Sequence, residues 1–197
     1  MWKIIDWNKK IRYTKHEKSG VICRIYRRNL MNYDNYDKIA AFFSRHPLLL
    51  NALRLFNKFF TLTGFLCYPA LLLLLFLHNN SGFFLYILIP GASFLAVSLF
   101  RHVINTRRPY ERYHIQPLIP REKKGKSFPS RHIFSIFLIA SLWIAVSPKA
   151  AFLLFLCGIG LAVLRVIGGV HFIMDVLAGA AIGIFCGLLT IWSCTLL

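Results

Sequence analysis

Five apolar segments, each near the length of a membrane-spanning helix, constrain the fold of this chain more than any other feature. They cover residues 59–78, 82–100, 132–147, 150–167 and 171–195. A helix needs roughly 20 mainly apolar residues to cross the hydrocarbon layer. Because that layer offers no water to backbone polar groups, helices are the element expected there. The sequence therefore predicts an all-α, multi-span transmembrane helical bundle with about five spans.

The chain is strongly basic for such an apolar protein. Hydrophobic residues make up 57% of its 197 residues, charged residues make up 16%, and the formal net charge is +17. A basic nucleic-acid-binding protein would share the charge but would lack the long apolar segments. The composition therefore indicates membrane spans joined by cationic loops and argues against a nucleic-acid partner.

A basic leader precedes the spans. Residues 1–46 are mostly polar, and residues 47–58 carry apolar side chains at helical spacing with Arg54 on another side. Such a pattern is typical of an amphipathic helix lying on the membrane surface. We therefore expect a leader with an interfacial helix over 1–58 and a transmembrane domain over 59–197.

The last predicted span begins with two ionisable side chains at helical spacing. His171 and Asp175 are four residues apart, so a helix would place them on one face. The carboxylate can then accept the Nδ1–H of the imidazole and leave the other ring nitrogen as a nucleophile or base. Arg165 lies near them at the membrane edge, where ionisable groups usually have a function. An ion pair between Arg165 and Asp175 would explain the same residues, and this alternative stays open.

Four residues around the long basic loop are suited to binding and protonating a phosphate. Arg101 and Arg108 are two helical turns apart and share a face if the second span continues to Arg108. Ser130 is suited to cap the next helix, whose N-terminus attracts anions. His132 then lies in the first turn, where it can donate a proton to a leaving oxygen. Separately, the same residues are consistent with headgroup anchoring and ordinary helix capping.

The order of these residues is more specific than any one of them. It reads Arg101-x6-Arg108-Pro109, then Pro129-Ser130-Arg131-His132, then Arg165-x5-His171-x3-Asp175. This order resembles the type 2 phosphatidic acid phosphatase superfamily, membrane lipid phosphatases related to vanadium haloperoxidases. The pattern of that family is K-x6-R-P, P-S-G-H and S-R-x5-H-x3-D. The resemblance covers roughly residues 60–190.

The resemblance implies a role for each matched residue. His171 would be the nucleophile that forms a phosphohistidine, Asp175 would orient it, and His132 would be the general acid. The groups implied to bind the substrate phosphate are the side chains of Arg101, Arg108, Ser130 and Arg165, together with Arg131 through the backbone N–H near it. The resemblance implies no cofactor and no metal, and the transition state of phosphoryl transfer would be stabilised by positioned cations.

Three positions depart from the family pattern. Arg101 replaces a lysine, Arg131 replaces a glycine, and Leu164 replaces a serine. If the glycine position requires a positive φ, Arg131 would be strained. Alternatively, Arg131 points outward and binds a second phosphate or a headgroup. None of these changes deletes a residue with a direct chemical role, so we expect an active enzyme.

The substrate implied by the resemblance is a phospholipid or isoprenoid phosphate. Undecaprenyl diphosphate, phosphatidic acid and phosphatidylglycerophosphate stay open, and a lipid A phosphatase is less favoured. A second class of function is a non-enzymatic, anionic-lipid-binding membrane protein or a transporter subunit. That class leaves the ordered arrangement of Ser130, His132, His171 and Asp175 unexplained. No oligomeric state is predicted.

Two arguments about membrane orientation conflict. Residues 1–58 contain thirteen Lys and Arg residues, the 101–131 loop contains nine, and five spans place both on the face of the site. The positive-inside rule assigns such a face to the cytoplasm. The family resemblance implies a multi-pass protein of the plasma membrane with an extracytoplasmic site, which we favour. An extra span within 47–58 would move the leader to the other face and reduce the conflict.

Overall fold

The computed structural model describes residues 33–120 and 124–196. The first 32 residues of the predicted leader, and Arg121 in the long loop, lie outside the described residues. Helices and connecting loops make up the whole described part, with no strand in either range. The helices are α1 (Tyr33–Arg45), α2 (Pro47–Leu77), α3 (Leu85–Ile104), α4 (Pro109–Arg112), α5 (Arg131–Trp143), α6 (Pro148–Ile167) and α7 (Ile173–Thr195). The predicted all-α helical bundle is therefore confirmed.

Four helices, α2, α3, α6 and α7, have the length and composition to cross a membrane. The predicted span over 132–147 is instead the shorter helix α5, which has 13 residues. At 1.5 Å per residue it is about 20 Å long, whereas the hydrocarbon layer is roughly 30 Å thick. Nine of its residues are buried among the other helices. Because its neighbours cover it, α5 does not need to match the thickness of the membrane.

The first span starts earlier than the sequence indicated. Pro47–Leu77 is one helix of 31 residues, without a break where an interfacial helix was expected to end. Neither glycine nor proline occurs at that junction, so nothing in the chain interrupts the helix. Leu53 packs with Val170 in a small cluster, and Arg54 Nε donates a hydrogen bond of 2.9 Å to the Leu118 carbonyl. The predicted interfacial helix is therefore the first part of α2, and no helix ends at position 58.

The two helices that carry the site, α5 and α7, pack closely through three glycines. Gly179, Gly183 and Gly187 recur every fourth residue on the face of α7 that meets α5. A Cβ added at Gly179 would lie 2.6 Å from the Ser130 carbonyl oxygen, and one at Gly183 would overlap the Phe134 carbonyl oxygen. Small residues at this spacing allow helix backbones to approach in a membrane. This contact fixes the N-terminus of α5 against the N-terminal half of α7.

We expect Gly183→Ala to destabilise the protein by about 1–3 kcal/mol, because overpacking a close contact displaces backbone. The matched control is Gly91→Ala in α3, where an added Cβ has nothing within 4 Å. Since alanine favours helix over glycine by about 1 kcal/mol, the control should be neutral or stabilising. Thermal unfolding in detergent measures both changes. Equal melting temperatures for the two variants would contradict the close packing of α5 on α7.

The helices bring the predicted site residues to one end of the bundle. Arg101 lies in the last turn of α3, and Arg165 lies in the last turn of α6. Asp175 lies in the first turn of α7, while Arg131 and His132 begin α5. These ends meet on one side, because Arg101 bonds to the loop before α5, the Ser130 N–H bonds to Asp175, and the His171 N–H bonds to Arg165.

The described part of the leader lies at the same end. Tyr36 in α1 is 3% exposed, and its ring centroid is 6.0 Å from that of Tyr113 in the long loop. The ring of Tyr113 is in turn 6.1 Å from the ring of Phe172, next to His171. Burial raises the pKa of the Tyr36 phenol, and Tyr113 and Asp175 raise it further. The helix α1 therefore lies over the end of the bundle that carries the site residues.

Candidate active site

His171 and Asp175 are in contact, although they do not share a helix. The helix α7 begins at Ile173, so His171 lies in the loop before it. The sequence prediction of one helical face is wrong on this point, because Gly169, at φ +71°, turns the chain just before the histidine. The Nδ1 atom of His171 still lies 3.4 Å from Oδ2 of Asp175, and both side chains are completely buried. Asp175 reaches the histidine from the first turn of α7.

A serine that the sequence analysis missed completes this contact. The Ser127 hydroxyl donates a hydrogen bond of 2.5 Å to Asp175 Oδ2 and lies 3.5 Å from His171 Nδ1. The backbone N–H of Phe172 donates to the same carboxylate oxygen at 3.0 Å. These donors stabilise the ionised form of Asp175, which favours the histidine tautomer with its proton on Nδ1. Ser127 lies in an irregular loop, where no periodic pattern marks a serine as functional.

Ser130 begins α5 as predicted, but its side chain does not cap the helix. Its backbone is extended (φ −72°, ψ 114°), and its hydroxyl makes no capping hydrogen bond. Its N–H donates to the Asp175 carbonyl at 2.9 Å, which ties the start of α5 to α7. Within the described residues its Oγ atom is buried without a hydrogen-bond partner. A buried hydroxyl in this state is suited to a ligand oxygen at the N-terminus of the helix.

The guanidinium of Arg101 is 4% exposed and holds the loop that leads into α5. Its Nη1 atom donates to the Ser127 carbonyl at 3.3 Å and to the Pro129 carbonyl at a shorter distance. The predicted helical face shared with Arg108 is wrong, because α3 ends at Asn105 in the left-handed conformation (φ 44°). Arg101 therefore positions the loop that carries Ser127.

Arg108 reaches the site from the other side of the long loop. It is 2% exposed, and its Nε atom donates to the Gly125 carbonyl at 3.1 Å. Glu111 holds this arrangement, since its Oε2 atom accepts the N–H of Arg108 at 3.0 Å and the N–H of Gly125 at 2.9 Å. The sequence analysis did not single out Glu111. Its position three residues after Arg108, where a capping-box carboxylate stands, is a signal that could have identified it.

Arg165 completes a group of three buried arginines with Arg101 and Arg108. It is 3% exposed, and its carbonyl accepts the N–H of Val170 at 3.2 Å and that of His171 at 3.3 Å. A buried guanidinium is stable only when hydrogen bonds or anions compensate its charge. Three of them at the end of the bundle where α5 begins make this end attractive to an anion with several oxygens.

Arg131 and His132 lie on a different side of the same helix start. Both line a cavity of about 680 Å³ between α2, α3 and α5, together with apolar side chains such as Phe94. The side chain of Arg131 is exposed, with Cζ 5.9 Å from the centroid of the Phe94 ring. Arg131 is helical rather than at positive φ, so the backbone strain considered from the sequence is not found. His132 is partly buried in the first turn, as predicted.

Comparisons with known proteins agree with this arrangement. The PAP2 superfamily matches residues 81–195. The crystal structure of Aquifex aeolicus LpxE aligns with a TM-score of 0.60 and 28% sequence identity, over 82% of this chain and 94% of that chain. A transmembrane PAP2 type phosphatidylglycerolphosphate phosphatase from Bacillus subtilis aligns with a TM-score of 0.50 and 22% identity, over 80% of this chain and 91% of that chain. No curated protein matches the sequence significantly.

The superfamily match covers more than half of the chain and includes every residue of the three motifs. The second structural comparison, at 22% identity, supports the fold alone. The first structural comparison, with LpxE, finds the same helical arrangement over most of both chains. The chain belongs to the PAP2 superfamily.

Proposed function

We propose that this protein is an integral membrane phosphatase that hydrolyses a lipid phosphate or lipid pyrophosphate through a phosphohistidine intermediate. The observation that carries this proposal is the buried pair of His171 and Asp175, 3.4 Å apart, at the end of the bundle that also carries three buried arginines and the N-terminus of α5. Membership of the PAP2 superfamily supports the same chemistry. Undecaprenyl diphosphate, phosphatidic acid and phosphatidylglycerophosphate are the candidate substrates.

Binding of the phosphate comes first in the proposed mechanism. Arg108 and Arg165 bind its non-bridging oxygens, with Arg101 beside them. The Ser130 hydroxyl and the backbone N–H groups at the start of α5 donate further hydrogen bonds. Because these donors are already held in place by the loops and helix ends, little reorganisation is needed as charge develops on the oxygens.

Phosphoryl transfer to the histidine follows. The lone pair on Nε2 of His171 attacks phosphorus while the bond from phosphorus to the leaving oxygen breaks. The Nδ1–H remains directed at Asp175, whose carboxylate stabilises the positive charge that the ring acquires. His132 donates a proton to the leaving oxygen, so the dephosphorylated lipid leaves as a neutral alcohol or a phosphate monoester.

Hydrolysis of the phosphoenzyme then restores the site. The neutral His132 accepts a proton from a water molecule, whose oxygen attacks phosphorus. The bond between phosphorus and Nε2 breaks, inorganic phosphate leaves, and both histidines return to their starting protonation states. The arginines supply the positive charge for both steps, so we propose that the reaction needs no metal ion.

A rapid-quench experiment with phosphatidic acid labelled in its phosphate tests this mechanism. We expect label bound to the purified protein within one turnover, stable in alkali and lost in acid, as the bond between phosphorus and imidazole requires. Phosphate release and trapping should both persist in EDTA. Release without any trapped label would contradict the covalent step. No release from any of the three candidate lipids would favour the non-enzymatic lipid-binding or transporter function.

For the location, we propose a multi-pass plasma-membrane protein with its site on the extracytoplasmic side, which is what the resemblance of the motifs to the family pattern implies. The positive-inside rule opposes this, since α1 and the described part of the basic loop lie at the end of the bundle that carries the site. Within the described residues, the unbroken α2 helix, Pro47–Leu77, leaves no additional span between α1 and the site. The loop cations would therefore be retained on that face by their function in binding phosphate.

A further inference from the structure

Arg131 stands apart from the other cations of the site. Arg101, Arg108 and Arg165 are each at most 4% exposed, whereas the side chain of Arg131 is exposed. Its guanidinium carbon lies 5.9 Å from the centre of the Phe94 ring, a geometry that holds a cation by attraction to the ring face. Arg131 is therefore directed at Phe94 of α3 and stays accessible from outside the protein.

The space in front of Arg131 is an apolar cavity at the level of the reaction. It measures about 680 Å³, and its walls are mainly apolar side chains, among them Phe60, Phe65, Ile136 and Leu161. His132, the proposed general acid, lines the same cavity as Arg131. If a lipid chain occupied this cavity, the bond between the lipid and the transferred phosphate would lie beside Arg131 and His132.

We propose that Arg131 binds the second phosphate of a lipid diphosphate, the phosphate that stays on the lipid, and so makes lipid diphosphates the preferred substrate class. This inference rests on the proposed phosphatase function. Two observations support it. Arg131 lies between Ser130, at the proposed phosphate site, and the apolar cavity, and it is next to His132 in the sequence.

The chemistry of the leaving group gives the reason for a preference. In a lipid diphosphate, His171 attacks the terminal phosphorus, and the bond to the bridging oxygen breaks. His132 protonates that oxygen, and the lipid monophosphate leaves with negative charge on its remaining oxygens. In phosphatidic acid, the leaving oxygen is bonded to carbon, and no anionic group follows it. Arg131 can therefore stabilise the departing group only when the substrate carries two phosphates.

A simpler function for Arg131 is anchoring the start of α5 to anionic headgroups, as many interfacial arginines do. Anchoring would act equally on every substrate, because it does not involve the leaving group. Binding of the second phosphate would act on diphosphates alone. The two functions therefore differ in the ratio of activities on two lipids that are identical except for one phosphate.

The experiment compares diacylglycerol pyrophosphate with phosphatidic acid of the same acyl chains, using wild type, Arg131→Gln and Arg131→Lys. A charge-assisted hydrogen bond contributes about 1.5–3 kcal/mol, so the ratio of kcat/KM for the pyrophosphate over the monophosphate should fall about 10–100-fold in Arg131→Gln. Arg131→Lys should restore part of the ratio, because it keeps the charge without the planar fork. Arg107→Gln, another exposed arginine of the basic loop, is the matched control and should leave the ratio unchanged.

Binding of both lipids in nanodiscs, measured in a His171→Ala background, provides a readout that does not depend on turnover. Arg131→Gln should weaken binding of the pyrophosphate lipid by about 10-fold or more relative to phosphatidic acid. Equal losses for both lipids, or no loss for either, would overturn the inference. If wild type hydrolyses neither lipid but Arg131→Gln still weakens pyrophosphate binding selectively, the proposed function fails and the binding role of Arg131 stands.

Discussion

Replacing His171 by alanine should lower kcat by about 10⁴-fold or more, because the variant lacks the atom that we propose forms the bond to phosphorus. His132 cannot take over, since it lines the apolar cavity and the proposed mechanism already uses it for proton transfer. The imidazole of His171 is completely buried, so its removal also leaves a small cavity beside Asp175. Phosphate release and the thermal melting temperature should be measured on the same preparation.

The matched control for this variant is His78→Ala. His78 follows the C-terminal end of α2, is exposed, and hydrogen-bonds through Nδ1 to the Leu74 carbonyl at 2.8 Å. It lies at the opposite end of α2 from Pro47, so we expect its loss to leave activity unchanged. A folded His171→Ala protein that retains more than about 1% of wild-type activity would assign the nucleophile to another residue.

Asp175→Asn should lower kcat by about 10³-fold with little change in size or packing. Asp175 Oδ2 accepts hydrogen bonds from the Ser127 hydroxyl at 2.5 Å and from the Phe172 N–H at 3.0 Å, and it lies 3.4 Å from His171 Nδ1. An asparagine that directs its amide NH₂ toward the ring would require Nδ1 to accept a hydrogen bond. The proton would then move to Nε2, and the atom that attacks phosphorus would lose its lone pair.

The amount of trapped phosphoenzyme distinguishes this tautomer effect from a simple loss of stability. In Asp175→Asn the label should accumulate much more slowly, while the melting temperature stays close to that of wild type. Asp37→Asn, an exposed carboxylate of α1, serves as the control for the loss of one negative charge near the site. If both variants lose activity to the same extent, the net charge of this face, rather than the orientation of His171, is responsible.

The sequence was sufficient to predict the helical bundle and the principal site residues. Long apolar segments predict spans because the membrane leaves few other options for a backbone. Ionisable side chains are rare in such segments. Arg165, His171 and Asp175 can therefore be identified as candidate site residues from the sequence. The structure places His171 and Asp175 in contact, buries three arginines and bonds one of them, Arg101, to the loop that leads into α5.

Features that depend on three-dimensional packing could not be predicted in the same way. The left-handed Asn105 ends α3 before Arg108, and Gly169 turns the chain before α7, so two predicted helical faces do not exist. Ser127 contacts Asp175 only because the loop before α5 folds back over α7, a contact across 48 positions of sequence. Local spacing contains no information about contacts of this kind.

The continuous helix α2 also provides a way to determine in which compartment the reaction takes place. Because Pro47–Leu77 leads away from the site without a break and Tyr36 of α1 packs against Tyr113, α1 and the end of the bundle that carries the site lie in the same compartment. A fused reporter that is active in only one compartment, placed ahead of Tyr33, would identify the side on which phosphate is released. No residue of the site would need to be changed, so the same fusion protein could be assayed for activity and for orientation.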